Sequence, residues 1–230
     1  MKFKITCVVF TFLCFFQNAN AQLTGAGIQP KMNFSRHLNV EQNIPKRLAR
    51  SVEGRLAAVG IDAFADFNLG EKWQFRVKAG VETKGFVSDY YIYQLDERAQ
   101  KYHYVSTDLN LVRKWGDNKR IQPYNYLGLT TGYLFKNGSK TLPFYEAKTF
   151  GNGARLTYED YSKLNLGFNL GVGLSFDDVL WLELECNRDI LAPINQADMK
   201  VYNTVYSVNV GINLISIITN FHRSLENGEI

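Results

Sequence analysis

The chain has 230 residues and a formal net charge of +4, with 46% hydrophobic and 14% aromatic residues. This length suits one sizeable β-domain, and the nearly balanced charge argues against a nucleic-acid partner. Beyond the N-terminal segment, no apolar run is long enough for a transmembrane helix.

Residues 1–21 have the three parts of a secretory signal peptide. Lys2 and Lys4 give a basic start, an apolar core follows, and small residues surround a cleavage site after Ala21. A retained membrane anchor is the weaker alternative, because the apolar run ITCVVFTFLCFF is too short. We therefore expect export and a mature chain that begins at Gln22.

The remaining chain alternates apolar residues with polar residues and glycines, and this period of two predicts β-strands with two unlike faces. No segment shows sustained helical periodicity, so we expect an all-β meander. In chain order, the eight predicted strands span approximately residues 25–35, 56–67, 73–86, 101–115, 121–135, 163–176, 179–189 and 201–214.

Short and long connections alternate strictly between these strands. The short ones are 68–72, 116–120 and 177–178, and the long ones are 36–55, 87–100, 136–162 and 190–200. A barrel with one trimmed rim and one elaborated rim has this pattern, and an even number of strands places both termini at the trimmed rim. The sequence therefore predicts an eight-stranded antiparallel up-and-down β-barrel.

The alternation alone leaves two orientations open. A soluble lipocalin-type barrel holds its apolar face inside, whereas a transmembrane β-barrel presents that face to lipid. Glycines such as Gly128, Gly167 and Gly171 share the polar parity, and in a narrow lumen they make room for long charged neighbours. The apolar parity also stays nearly free of charge over the roughly nine to eleven residues that cross a bilayer. Both observations favour the transmembrane barrel.

The aromatic residues are sorted by rim. Trp73 and Trp115 fall at short-turn ends, and several tyrosines fall toward long-loop ends, as in interfacial girdles. Trp181 shares the short-turn end but has lumen parity. The alternative explanation is that the aromatic residues only supply β-propensity.

We interpret residues 22–214 as a barrel domain in the outer membrane of a Gram-negative-type cell, surrounded by lipid and lipopolysaccharide. Residues 215–230 form a periplasmic tail that caps the rim, docks a partner or stays disordered.

Charged side chains on the lumen parity should meet inside the barrel. Eight strands leave an interior that side chains can fill, so we expect a paired, hydrogen-bonded network. The alternative is a proton or ion path, which would make the protein a narrow channel for small solutes or ions. The predicted lumen set is Lys31, Asp62, Asp66, Arg76, Lys78, Glu82, Lys84, Asp108, Glu183 and Glu185.

No convincing catalytic or metal site is visible in the sequence. His103 and Ser106 lie on opposite parities of one strand, whereas a nucleophile and its base must lie within hydrogen-bond reach. His37 lies in the first long connection and His222 lies beyond the last strand. Metal-ligand spacing is also absent. We therefore expect a protein that is not an enzyme and needs no cofactor.

The long connections carry residues that suit surface contacts. A basic cluster in the first could pair with lipopolysaccharide phosphates, and a tyrosine cluster in the second suits a protein partner. Ordinary solvation explains these residues equally well, and the C-terminal tail is the other candidate partner site. The two clusters are Lys46, Arg47 and Arg50, and Tyr90, Tyr91 and Tyr93.

Several strands combine glycines with polar lumen residues: GIQPKMNFS (27–35), AVGIDAF (58–64), GVETKGF (80–86) and the glycine-rich strands around Gly128 and 167–173. In these segments the chain resembles the PorT-like outer-membrane β-barrel proteins of Gram-negative bacteria. The resemblance covers most of the mature chain and implies a small membrane barrel with no catalytic residues. It also implies an association with protein secretion across the outer membrane.

Overall fold

The computed structural model describes residues 22–39, 54–87, 99–116, 118, 120–137, 162–191, 194–196 and 199–226. The elements are β1 (Leu23–Asn39), β2 (Gly54–Asn68), β3 (Trp73–Val87), β4 (Ala99–Lys114), β5 (Ile121–Asn137), β6 (Leu164–Phe176), β7 (Leu180–Asp189), β8 (Ile194–Gln196), β9 (Met199–Asn213) and the helix α1 (Leu214–Glu226). The eight long strands match the predicted ones to within a few residues. The short strand β8 lies within the fourth long connection and pairs with the start of β9. It was not predicted.

The long strands close into a barrel. Each pairs antiparallel with its neighbour in sequence, and β9 pairs with both β7 and β1. Closure lets the strands satisfy their backbone hydrogen bonds without a free edge, which is what a lipid environment requires. The predicted eight-stranded antiparallel barrel is therefore confirmed.

The β6–β7 connection shows how one rim is kept short. Asp177 and Asp178 both have left-handed backbone conformations, with φ of 52° and 54°. The Val179 amide donates to the Phe176 carbonyl at 3.0 Å. Two left-handed central residues and this hydrogen bond define a type I′ turn, whose twist matches that of the flanking strands.

The apolar parity faces outward. In β6, exposed apolar side chains such as Leu164 and Leu170 alternate with buried polar ones such as Asn165 and Asn169. On β7, Leu184 is 57% exposed while neighbouring Glu183 is 0% exposed. This arrangement inverts that of a soluble barrel and matches the predicted transmembrane orientation.

Glycines of lumen parity make room for side chains of neighbouring strands. As expected, a Cβ at Gly60 would collide with the stem of the charged Lys31. The expectation was incomplete, however, because several glycines accommodate aromatic rings instead. These pairs are Gly171 with Tyr126, Gly173 with Tyr124 and Gly211 with Trp181.

We expect Gly211→Ala to lower the free energy of unfolding by about 1–3 kcal/mol, the usual effect of overpacking a filled interior. The new methyl group would occupy the position of the Trp181 indole. Equilibrium unfolding in urea with the barrel in lipid vesicles would measure the change. Gly132→Ala is the control, since its Cβ would lie 3.3 Å from a ring atom of Tyr104. Equal losses for the two variants would contradict this explanation.

The C-terminal segment corrects one expectation, since α1 is helical and no helix was predicted. Asn213, the last residue of β9, is its N-cap: the Asn213 Oδ1 accepts from the Ser216 amide at 3.3 Å. The helix has 13 residues, none of which is buried. Within the described residues, no helix has both the length and the apolar character needed to cross a membrane.

Candidate functional site: the charged lumen and its short-turn mouth

The structure places the whole predicted lumen set inside the barrel. Exposure of the ten residues ranges from 0% for Glu183 to 7% for Glu82 and Glu185. Most of the cations lie on one strand, because alternation along β3 carries Arg76, Lys78 and Lys84 inward. The acids come mainly from β2 on one side of β3 and from β7 across the lumen. The cations of β3 therefore lie between acidic residues of the neighbouring strand β2 and of β7 on the opposite wall.

Glu183 is the centre of the network. Its carboxylate bonds the guanidinium of Arg76 and accepts from Lys78 Nζ at 3.0 Å. Neutral donors complete its coordination from several strands. These donors are Gln29 Nε2 at 2.7 Å, Tyr124 Oη at 2.8 Å, Tyr126 Oη at 3.3 Å and Asn209 Nδ2 at 3.4 Å. A carboxylate that is fully buried is thus satisfied by two charges and four neutral groups.

Arg76 lies in the lumen at the inner end of a cavity that opens at the short-turn rim. Its guanidinium makes a two-pronged bond to Asp66, with Nε–Oδ1 at 2.7 Å and Nη2–Oδ2 at 3.0 Å. It also lies 4.4 Å from the ring centroid of Trp181 and 5.5 Å from those of Phe64 and Tyr124. Planar guanidinium groups favour both kinds of contact. We call these residues (Phe64, Asp66, Arg76, Tyr124 and Trp181) the arginine plug.

A second set of ion pairs continues from Glu183 toward the long connections. Lys78 reaches Glu185 at 3.1 Å, and Tyr126 Oη donates to the same carboxylate at 2.6 Å. Farther along, Glu82 is shared by Lys31 at 3.2 Å and Lys84 at 3.0 Å. Every cation of the predicted set therefore has an acidic partner.

The two remaining members of the predicted lumen set are Asp62 and Asp108. Asp62 pairs with Lys31 at 3.0 Å. Asp108 is also buried, and its Oδ1 has no hydrogen-bond partner among the described residues. Buried charges that are paired in this way hold neighbouring strands in one arrangement, and removing one partner is far more damaging than the pair is stabilising.

A cavity of about 420 Å³ opens at the short-turn rim and ends at the arginine plug. Its walls are mainly polar, with Gln74 and Ser175 toward the interior. At its mouth, Lys114 Nζ lies 3.1 Å from Asp178 Oδ1, in a pair that remains partly exposed to solvent. We call this cavity the vestibule, and four residues of the arginine plug line it: Asp66, Arg76, Tyr124 and Trp181.

The predicted interface aromatics, Trp73 and Trp115, lie on the outer surface at this rim, where they are 42% and 46% exposed. The guanidinium of Arg113 lies between them, 5.4 Å and 4.1 Å from their ring centroids. Amphipathic rings beside a cation suit the boundary between lipid and water. Trp181 belongs instead to the arginine plug, in keeping with its lumen parity.

Residues 20–190 match a family model described as the outer membrane protein beta-barrel domain. The chain belongs to this family of outer-membrane β-barrel proteins. A comparison with curated proteins gives no match. The membrane in which this barrel resides is accordingly the outer membrane.

Several solved outer-membrane barrels are similar to this chain over most of its length. Neisserial surface protein A shares 12% identity with a TM-score of 0.45, covering 84% of this chain and 99% of that one. OprG from Pseudomonas aeruginosa shares 12% with a TM-score of 0.43, covering 84% and 97%. Ail of Yersinia pestis shares 15% with a TM-score of 0.40, covering 83% and 99%. Likenesses of this size carry no argument about function.

His103 and Ser106, which the sequence analysis weighed for catalysis, lie on opposite faces of β4. His103 Nδ1 shares a hydrogen bond of 2.9 Å with Thr83 Oγ1. Ser106 is buried on the opposite parity of the same strand. His222 is exposed on α1. In the described part of the chain, no cluster of His, Cys, Asp and Glu residues is suited to hold a metal ion.

The predicted surface-contact residues lie outside the described residues. They are Lys46, Arg47, Arg50, Tyr90, Tyr91 and Tyr93. The structure adds residues that the sequence analysis did not select, chiefly Tyr124 and Tyr126, which bind the central carboxylates. The sequence could have identified both tyrosines as lumen residues, because they share the parity of Gly128 along β5.

Proposed function

We propose that this barrel is a non-enzymatic membrane anchor or partner-binding subunit of the outer membrane, with a lumen that does not conduct ions. The observation that carries the proposal is the set of contacts at Arg76, where two ion pairs and three aromatic rings meet in the lumen. An ion crossing the lumen at this level would have to separate the Arg76–Glu183 pair and leave buried charges without partners. Function is then located at the two ends of the barrel.

Planar-bilayer recordings on the purified wild-type protein test the closed lumen. We expect no conductance steps above those of the bare bilayer over long recordings. A porin added afterwards to the same bilayer is the positive control, since wide barrels hold a water-filled channel. Reproducible steps from the wild-type protein, present in independent preparations, would overturn the proposal.

The resemblance to PorT-like proteins supports a finer assignment. We propose a PorT-like barrel that is exported by the signal peptide of residues 1–21, loses that segment by cleavage, and has both ends of its mature chain on the periplasmic side. The partner would belong to an assembly for protein secretion across the outer membrane, and it would bind at the long connections or at the short-turn mouth. Loops and rims of rigid scaffolds are where such contacts usually lie.

Affinity capture from intact outer membranes tests partner binding. The bait would be the full chain, compared with a variant that lacks residues 215–230. We expect a reproducible partner with the full chain, and its loss on truncation would place the contact at the short-turn end. Retention would exclude residues 215–230 as the contact. The absence of any partner above a capture without bait would contradict a partner-binding role.

One observation favours a narrow channel as the second candidate. The side-chain amides of Asn110 and Asn169 are buried in the lumen, and neither has a hydrogen-bond partner among the described residues. They flank Gly128, where a Cβ would collide with both. A polar strip of this kind on β4, β5 and β6 could line a path beside the ion pairs, and the conductance recordings decide between the two candidates.

A further inference from the structure

Helix α1 has a continuous apolar face that stays exposed among the residues that the structure describes. Its apolar side chains recur at intervals of three and four residues, the spacing of a single helical face. None of the residues of the helix is buried. The exposed apolar face consists of Leu214 (45%), Ile217 (41%), Ile218 (62%), Phe221 (58%) and Leu225 (52%).

Contacts at the start of the helix fix the direction of this face. Ser216 lines the vestibule, and its Oγ accepts from Asn213 Nδ2 at 2.8 Å. Asn213 is only 4% exposed and also donates to the Asp178 carbonyl at 3.1 Å across the rim. At about 100° per residue, Ser216 lies on the side of the helix opposite Leu214. Because the polar side meets the vestibule, the apolar face points away from the barrel axis.

The apolar face continues the lipid-facing surface of the barrel. Val208 and Val210 point outward on β9 and are 39% and 40% exposed. The helix begins at the residue after β9, so Leu214 follows the same outer wall. Trp73 and Trp115 lie at this rim as well, at the level where lipid meets water. A lipid surface is therefore the nearest apolar medium to the exposed face of α1.

We propose that α1 is an interfacial helix that lies on the periplasmic leaflet of the outer membrane, with its apolar face among the lipid chains. An amphipathic helix binds in this way when one face is apolar and the other is polar. The polar face carries Arg223 and Glu226, so the attraction is apolar and needs no anionic lipid. The inference goes beyond the proposed function, because lipid contact by α1 is independent of conductance and of partner binding.

Nitroxide spin labels on the full-length protein test the lipid contact. Single cysteines would replace Ile218 and Phe221 on the apolar face, and Asn220 and Arg223 on the polar face as matched controls. The background would carry alanine at Cys7, Cys14 and Cys186. In phosphatidylcholine nanodiscs, electron paramagnetic resonance would compare collisions of each label with oxygen, which enters lipid, and with a water-soluble nickel chelate.

We expect labels at Ile218 and Phe221 to lose nickel-chelate collisions and gain oxygen collisions relative to labels at Asn220 and Arg223. Because all four positions are exposed on a helix outside the barrel, the labels should leave folding intact. Equal nickel accessibility at all four positions would overturn the proposal. So would spin–spin broadening confined to the apolar face, which would assign that face to a second copy of the chain.

Discussion

Glu183→Gln should lower the free energy of unfolding by about 3–5 kcal/mol, the range for breaking one partner out of a buried ion pair. The substitution keeps the size of the side chain and removes its charge, which Arg76 and Lys78 both contact. It also places an amide NH₂ group near cations and near hydroxyl groups that donate to the carboxylate. Urea unfolding in lipid vesicles, followed by tryptophan fluorescence, measures the loss.

Asp178→Asn is the matched control for this prediction. It removes a carboxylate from the Lys114 pair at the vestibule mouth, where the Asp178 side chain is 47% exposed. Asparagine also tolerates the left-handed backbone of the turn at this position. Exposed pairs contribute at most about 1 kcal/mol, so the control should barely change the midpoint. Similar losses for both variants would show that the lumen network does not hold the barrel together.

Leu170→Arg should lower the free energy of unfolding in lipid by about 2–4 kcal/mol, the range for a lipid-facing arginine near the bilayer midplane. Leu170 lies in the middle of β6 and is 52% exposed on the outer wall. An arginine there must leave its charge in hydrocarbon or bend toward the interface. In a barrel whose outer wall met water, the same change would be close to neutral.

Leu191→Arg is the control for the membrane-facing position. Leu191 has the same exposure of 52% but follows the end of β7 at the rim with the long connections. Charged substitutions near the interface have effects of roughly 0–1 kcal/mol. We therefore expect a large difference between the two variants in the same vesicles. An equally small loss for both would argue against lipid around β6.

The strands could be predicted because each keeps the period of two along most of its length. β6 alternates large apolar residues with asparagine and glycine from Leu164 to Phe176, and no helix can produce that pattern. The closed barrel followed from the alternation of short and long connections. The strand β8 escaped prediction because three residues are too few for a period to be visible.

The side-chain pairings could not be predicted, although the lumen residues could. Alternation along each strand placed Arg76 and Glu183 on the inner face, but they are 107 positions apart in sequence. Which residues meet across a lumen depends on the tilt and stagger of the strands, which the pattern along one strand does not contain. For the same reason, the sequence could not show that the rings of Phe64 and Trp181 contact each other in the arginine plug.

The helix α1 was missed because its signal is short and directly follows a strand. Its apolar residues do recur at helical spacing, but only over 13 residues. The Asn213 side chain caps the helix and contacts Ser216. In the sequence, however, Asn213 fits the alternation of β9 as one more polar residue. Local capping and the end of the barrel together, rather than periodicity, mark where the strand stops.

Solid-state NMR of the wild-type protein in lipid bilayers tests the central claim without any substitution. Proton spin diffusion from the lipid acyl chains should reach the methyl groups of Leu166 and Leu170 first. In the same sample, the side-chain carboxyl of Glu183 should correlate with the guanidinium of Arg76. Early transfer from lipid to Asn169 or Glu183, with the leucine methyl groups contacting one another across the lumen, would contradict the inverted barrel.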